Sequence, residues 1–420
     1  MYKKVKGFRD IYGLESRYWQ KVEKVFKETF RSFNYQEFYL PVLEKVEVFD
    51  RGIGASTDIV EKEMFAFEDR DGTHVALRPE GTASIVRAYV ENKIYNPPAT
   101  TKYYYIGPMF RRERPQKGRF RQFTQAGIEV FGSAGPAVDA DVIYVLYKLA
   151  VNLGIEDFVS MEINSIGCPE CRPAYNEKLI NFFQDNKDNL CEDCLRRLDK
   201  NPMRILDCKN PNCKEITKEA PVAIDHLCGE CEEHFEGVKS YLDALEMPYN
   251  VNPMMVRGLD YYVRTAFELV TDKLGAQAAV GAGGRYDGLI QLLGGPDTPG
   301  IGFATGIDRM VALAMLKDTE KENEIDAYIV SFKDVSDKEA VKLVNSMRNA
   351  GISADMDYDF RKMKKQFSLA DKNGARFTVV LGEDEMNRGT AAVKDMEAGE
   401  QEEVELTNII NYISDKLRRN

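Results

Sequence analysis

Histidine is scarce in this chain of 420 residues, which has only His74, His226 and His234. With so few, no Ser-His-Asp or Cys-His arrangement is evident, and a histidine general base is not expected. His74 lies in the polar turn Asp71-Gly72-Thr73-His74 and reads as structural or exposed. Long apolar runs are missing too. Nowhere do about 18 apolar residues follow one another, and the positively charged start MYKKVKGFRD has no apolar stretch behind it. The expectation is a cytoplasmic protein with no membrane span. An excess of positive charge is also lacking, because 57 Lys and Arg face 68 Asp and Glu for a net charge of −11. That balance argues against a protein coated by nucleic acid but leaves room for local basic patches. Cysteine is absent outside residues 168–231, and no internal repeat or low-complexity run interrupts the chain. The length suits two or three domains, each able to bury a core.

Against the acidic background, Arg111 to Arg121 carry five net positive charges. Tyr103 to Ile106 and Gly127 to Phe131 read as strands, and Arg114-Pro115-Gln116-Lys117-Gly118-Arg119 as the loop between them, so a hairpin with a cationic tip is expected. A solvated surface hairpin is the plainer reading of such a charge run. Further arginines stand beside glycines or carboxylates in Leu77-Arg78-Pro79-Glu80-Gly81-Thr82, in Arg257 to Tyr262, in Gly281 to Asp287 and in Gly300 to Arg309. Glycine lets backbone come close to a ligand and arginine keeps its charge, so these constellations suit one polyanion such as a nucleotide triphosphate. A second basic patch comprises Arg361, Lys362, Lys364, Lys365, Lys372 and Arg376, and could equally be a solvated helix face.

These motifs resemble the histidyl-tRNA synthetases, a family of class II aminoacyl-tRNA synthetases. Phe110-Arg111-Arg112-Glu113 matches the second class-defining motif, Gly302 to Arg309 the third, and Pro41 closes a weaker version of the first. Arg-Gly-Leu-Asp-Tyr-Tyr at 257–262 and Gly-Ala-Gly-Gly-Arg-Tyr-Asp at 281–287 point to the histidine branch, and the likeness begins at Lys6-Gly7-Phe8-Arg9-Asp10. Asp308 departs from the family, which more often has Glu there.

The resemblance implies an α+β protein. Residues 1–164 and 246–316 would form a class II catalytic domain with an antiparallel sheet flanked by helices, 165–245 a cysteine-rich, mainly helical insertion, and 325–420 a C-terminal α/β anticodon-binding domain. The implied activity is ATP-dependent ligation of L-histidine to tRNA-His through a histidyl-adenylate, releasing AMP and pyrophosphate. By the same resemblance Arg111 and Arg257 are catalytic; Arg111, Glu113, Arg121, Phe123 and Arg309 hold ATP with Mg2+ on its phosphates; and Glu80, Thr82, Gln125, Glu129, Arg257, Tyr261 and Tyr262 hold histidine. Arg114, Gln116 and Lys117 would meet the tRNA acceptor end, and a substrate oxygen would serve as base in transfer. Read without the family, Glu129 in an alternating strand could face solvent, Tyr261 and Tyr262 could be core aromatics, and Arg257 could be buried against a partner such as Asp260. The family also implies a homodimer formed by the helix spanning Tyr18 to Phe33 and the strand after it, although that helix's apolar stripe could face the chain's own core. The rival within the likeness is the regulatory subunit of ATP phosphoribosyltransferase, which typically lacks the anticodon domain.

The insertion holds Cys168-x2-Cys171, Cys191-x2-Cys194, Cys208-x4-Cys213 and Cys228-x2-Cys231. In a cytoplasmic protein this spacing fits tetrahedral zinc better than disulfides. Cys191, Cys194, Cys208 and Cys213 group as one structural site, and Cys168, Cys171, Cys228 and Cys231 as a second. Buried reduced thiols are the alternative. Past a charged linker at 317–324, strand signals at 327–330 and 376–381 and helix signals at 338–349 and 408–418 suggest a small α/β domain with a largely parallel sheet.

Overall fold

Aromatic and β-branched residues put Tyr103, Tyr104 and Tyr105 into a long strand, and that strand organises the first part of the molecule. The computed structural model describes residues 2–418 apart from 55, 56, 58, 98, 114–118, 260, 276–278 and 318–324. It divides into two units, Met1–Asp318 and Thr319–Asn420. The strands of the first unit are β1 (Gln36–Glu37), β2 (Leu43–Lys45), β3 (Phe65–Glu68), β4 (His74–Leu77), β5 (Thr101–Phe110), β6 (Gln122–Phe131), β7 (Ser160–Ser165), β8 (Asn250–Val251), β9 (Val263–Val270), β10 (Ala279–Arg285) and β11 (Gly300–Gly306). The main sheet runs β1-β5-β6-β11-β10-β9-β7-β8, and β2-β4-β3 make a small second sheet. From β5 to β7 every neighbouring pair is antiparallel, and only the short edge strands β1 and β8 pair in parallel. The hairpin expected around the arginines is β5–β6, with Tyr103 opposite Glu129. Its tip, including Arg114, Gln116 and Lys117, lies outside the described residues.

Strand alternation sorts side chains between two cores. Ala126, Ile128 and Val130 of β6 join a cluster built with the helices Leu14–Ser32, Pro136–Asn152, Gly229–Ala244 and Ile307–Lys317. Gln125, Gly127, Glu129 and Phe131 therefore share the opposite face. The stripe on Leu14–Ser32 is spent within the chain: Val22, Phe26 and Phe30 are fully buried, each worth roughly 1.5–3 kcal/mol against exposure. The strand region after it keeps Tyr39 80%, Val42 37% and Leu43 42% exposed.

The second core joins Tyr89, Tyr105 and Phe131 to Tyr262, Tyr286 and the helices Arg172–Asp185 and Glu192–Lys200, through Tyr175, Leu179, Phe183 and Leu198. These helices of the cysteine-rich region are thus welded to the site face of the sheet. The glycines of β10 and β11 serve close packing inside the protein. A Cβ at Gly302 would collide with the Glu129 carboxylate, and one at Gly284 with Thr265 O and the Tyr262 ring.

In the second unit β12 (Ile325–Ser331), β13 (Ala354–Met356), β14 (Ala375–Leu381), β15 (Thr390–Asp395) and β16 (Gln401–Glu405) run in the order β13-β12-β14-β15-β16. The first three are parallel and the last two pairings antiparallel, so the sheet is mixed rather than largely parallel. The hairpin β15–β16 escaped sequence reading because few of its residues are apolar; Ala391, Val393 and Val404 are its buried side chains. Helices Asp337–Asn349, Met363–Lys372, Glu383–Arg388 and Ile409–Arg418 pack with these strands. Lys362, Lys364, Lys365 and Lys372 are exposed, whereas Arg361 closes onto Asp357 at 2.7 Å.

Candidate active site

Glu129 sits in mid-strand on β6 with none of its surface exposed. Thr82 Oγ1 donates to Glu129 Oε1 at 2.7 Å, and the Tyr286 hydroxyl donates to Oε2. Burial drives its pKa up to about 8, because two neutral donors do not offset the loss of water and Glu80 adds repulsion. Glu80 is the second carboxylate here. Its oxygens accept the N–H groups of Thr82 at 2.6 Å and Ala83 at 2.8 Å, where the helix Thr82–Glu91 begins, and burial raises its pKa as well. Thr82 thus bridges the pair, its N–H on one and its hydroxyl on the other.

Three tyrosine rings complete this end. Tyr261 and Tyr262 have centroids 4.6 Å apart, Tyr261 and Tyr286 5.8 Å, and Tyr262 and Tyr286 6.5 Å. The Arg257 guanidinium lies 4.9 Å from the Tyr262 ring centroid and donates to Glu268 Oε1 at 2.5 Å. Asp260, expected as a partner for Arg257, falls outside the described residues. Among the described residues, Arg257 Nε, Gln125 Oε1 and the Tyr105 hydroxyl are buried atoms without a hydrogen-bond partner. Each such atom costs about 1–3 kcal/mol, which marks the place as one shaped for a polar ligand.

The other end is cationic. Arg111 Nε donates to Pro79 O at 2.9 Å, which joins the arginine strand to the Glu80 turn, and its guanidinium lies 5.2 Å from the Phe123 ring centroid. Glu113 accepts Arg119 Nη1 at 2.8 Å and lies 3.8 Å from Arg111 Nη1. Arg121 donates its backbone N–H to Gly7 O at 2.8 Å, and its side chain packs where a Cβ on Gly7 would stand. Arg309 donates to Ala279 O, and its pKa is lowered by burial and by the charges of Arg119 and Arg111, partly offset by Glu113 and Asp308. A buried arginine with two further cations close enough to act on it favours an anion in that space. Asp308 accepts Arg9 Nη2 at 2.6 Å and Thr124 N–H at 2.9 Å, so it ties the N-terminal segment to both motifs.

Two arginine constellations belong elsewhere. Arg78 is spent on Leu40 O at 2.8 Å, Pro41 O at 3.2 Å and Pro108 O at 2.9 Å. Arg285 is fully buried against Asp139, with Nη2 to Oδ1 at 2.5 Å, and also binds Asp287 at 2.9 Å and Ser133 O at 3.1 Å. Asp139 further takes His234 Nε2 at 2.8 Å and Thr265 Oγ1 at 2.5 Å. Burial alone would raise its pKa, but the His234 hydrogen bond and the Arg285 charge hold it below the usual carboxylate range. Neither arginine is available to a polyanion. Sequence reading missed Tyr286 and Glu268 as site residues. Tyr286 lay in the singled-out Arg-Tyr-Asp, whereas Glu268, in an ordinary strand, carried no local signal.

The eight cysteines are reduced and converge as two tetrads, Cys168, Cys171, Cys228, Cys231 and Cys191, Cys194, Cys208, Cys213, with all sulfurs of a tetrad within 4.8 Å of one another. Zn–S bonds of ~2.3 Å demand tetrahedron edges of ~3.8 Å. The Sγ–Sγ separations are 3.6 Å for Cys168–Cys171, 3.8 Å for Cys168–Cys228 and 3.8 Å for Cys191–Cys208. Backbone N–H groups of Cys228 and Cys191 donate to Cys171 Sγ at 3.1 Å and Cys213 Sγ at 3.2 Å, the outer support that thiolate ligands use. Both tetrads can hold a metal ion.

Residues 7–310 match a family model described as histidyl-tRNA synthetase, and residues 326–416 one described as an anticodon binding domain. The chain is 49% identical to the histidine–tRNA ligase of Halothermothrix orenii, over 96% of this chain and 97% of that protein. It is 48% identical to that of Desulfotalea psychrophila, over 96% and 94%. Among solved structures, apo histidyl-tRNA synthetase from S. aureus matches with a TM-score of 0.80 at 38% identity, covering 98% of this chain and all of that one.

Proposed function

The chain belongs to the histidyl-tRNA synthetase family and has histidine–tRNA ligase activity, and from that premise we propose how its residues divide the work. The observation that carries the division is the split of the site into a cation-crowded end, Arg111, Arg119 and Arg309, and a carboxylate and tyrosine end, Glu80, Glu129, Tyr262 and Tyr286.

In activation the histidine carboxylate attacks the α-phosphorus of ATP and pyrophosphate leaves. Charge spreads over the phosphoryl oxygens, so fixed cations aimed at them lower the barrier. Arg111 meets the α-phosphate, held in place by Pro79 O. Arg257, anchored on Glu268, approaches it from the other side. Arg309 takes the terminal phosphate, and Glu113, Phe123 and Arg121 surround the adenine. Mg2+ on the phosphate oxygens would supply further positive charge when bound. The histidine ammonium goes to Glu80, Thr82 and Gln125, and the ring nitrogens to Glu129 and Tyr262, with Tyr261 forming the wall. A carboxyl that is half protonated near pH 8 can accept from one ring tautomer or donate to the other. Such polar readout rejects amino acids that lack the ring nitrogens far better than shape does. In transfer the terminal ribose hydroxyl of tRNA-His attacks the adenylate carbonyl, AMP leaves, and a substrate oxygen takes the proton.

The remaining assignments follow the same reading. Residues 1–164 and 246–316 act as the catalytic domain, 165–245 as an insertion, and 325–420 as the anticodon domain, with the exposed lysines near 362–372 facing RNA. Exposed Tyr39, Val42 and Leu43 suit burial in a homodimer. Zinc in each tetrad would be structural, and the protein acts in the cytoplasm. Exchange of labelled pyrophosphate into ATP, run with each amino acid and no tRNA, tests the reading. Exchange with histidine alone is expected, and no exchange with any amino acid would overturn it.

A further inference from the structure

The segment bearing Tyr261 and Tyr262 runs directly into Arg264, which is left-handed at φ 53°. A residue with a Cβ pays roughly 1–2 kcal/mol there and persists only where its surroundings hold it. The holding groups come from the cysteine-bearing region. Arg264 N–H donates to Gly167 O at 2.9 Å, and Arg264 O accepts Ile166 N–H at 2.8 Å, where the register between β9 and β10 shifts. Two residues earlier, Tyr262 O accepts from Arg172 Nη2.

Ile166, Gly167 and Arg172 flank Cys168 and Cys171 in the chain. Cys171 stands at the start of the helix Arg172–Asp185, and its sulfur receives Cys228 N–H at 3.1 Å. The opposite pair continues the tie. Cys231 lies in the first turn of Gly229–Ala244, and His234, one turn on, bonds Asp139, which takes the Thr265 hydroxyl of β9. Residues 262 and 264 are therefore held by groups beside Cys168 and Cys171, and Thr265 through Asp139 by His234, one turn beyond Cys231. Closing four sulfurs around one ion would fix the two helix starts relative to each other, and with them the strand that carries the tyrosines.

We propose that the tetrad Cys168, Cys171, Cys228, Cys231 is a metal site that positions the histidine-recognition segment, with Arg172 as the positioning residue that passes the hold to Tyr262. The inference rests on the assignment of Tyr262 to the histidine pocket, and the test separates the two. Full-length enzyme is purified without chelators and supplied with Zn2+. Zinc per chain is then measured beside kcat and the KM values for histidine and ATP in pyrophosphate exchange. Arg172→Ala keeps its zinc and raises the histidine KM about tenfold, while the ATP KM stays within about twofold. Arg172→Lys recovers part of the loss. Cys231→Ser loses about one zinc per chain and reproduces the histidine defect. Tyr262→Phe reports on the premise. A raised histidine KM in Tyr262→Phe with a wild-type value in Arg172→Ala overturns the positioning role alone, and wild-type values in both overturn the pocket assignment. Undiminished zinc in Cys231→Ser overturns the metal site. Should that variant fail to fold, the arginine pair still decides the positioning role.

Discussion

Glu129 and Asp139 are both carboxylates with no exposed surface, in the same unit, yet burial has opposite outcomes for them. Asp139 is surrounded by Arg285, His234 and Thr265 and stays ionised below the usual range. Glu129 has only the hydroxyls of Thr82 and Tyr286, and its pKa climbs to about 8. Desolvation is the largest influence on each, so the difference lies in compensation. A carboxylate compensated by the protein is architecture, and one left to hydroxyl donors is poised for a ligand that brings its own donors. The arginines divide the same way. Arg78 and Arg285 are saturated by carbonyls and carboxylates, whereas Arg309 is crowded by Arg119 and Arg111.

The comparison is broken most forcefully at Arg285. Arg285→Met leaves Asp139 ionisable and buried without its main cation, and should cost about 3–5 kcal/mol of folding stability in denaturant titration. A loss under about 1 kcal/mol would mean that His234 and Thr265 suffice. The matching change at the site, Glu129→Gln, should leave stability equal or higher but lower kcat/KM for histidine by roughly 10²-fold in pyrophosphate exchange, because a ring nitrogen loses its partner. Unchanged stability with unchanged histidine kinetics would remove Glu129 from the pocket. His234→Leu removes one charge-assisted hydrogen bond from Asp139 and should cost about 1.5–3 kcal/mol by thermal unfolding, with the histidine KM moving less than in Glu129→Gln.

The last effect is read against pH. Glu129 has a folded pKa raised from 4.5 to about 8, so between those values the folded state binds more protons than the unfolded one. Its contribution to stability is present below pH 4.5 and is lost as pH rises toward 8, by at most about 1.4 kcal/mol for each pH unit. Asp139, lowered from 3.8, contributes in the opposite sense: its share is present at neutral pH and lost only in acid. Melting curves between pH 5 and 8 should therefore show Glu129→Gln gaining on the wild type as pH rises, and parallel curves would argue that Glu129 stays ionised throughout.

Several features were legible in advance because their cause is local. The hairpin β5–β6 follows from aromatic and β-branched runs around a Pro and Gly loop, the stripe on Leu14–Ser32 from helical spacing, and the grouping of the cysteines from zinc-like intervals. The mixed sheet of the second unit was missed because β15 and β16 bury few side chains and carry many charges. The glycines of β10 and β11 were read as room for a ligand, whereas protein groups fill that room, Glu129 at Gly302, Tyr262 at Gly284, Tyr286 at Gly300 and Phe267 at Gly283.

Taken alone, the sequence determined the layout of the motifs, whose resemblance to the histidyl-tRNA synthetases implied the class of enzyme, and the partition of eight cysteines into two tetrads, because each depends on residue types at defined spacing. Which charges are neutralised by a buried carboxylate depended on the tertiary structure. Arg285 and Arg309 look alike in sequence, each beside a glycine-rich strand and near an aspartate. One meets Asp139, 146 residues away, while the other has Arg119 and Arg111 near it as well as Glu113 and Asp308. Compensation of a buried charge is set by neighbours in space, and no local pattern encodes them.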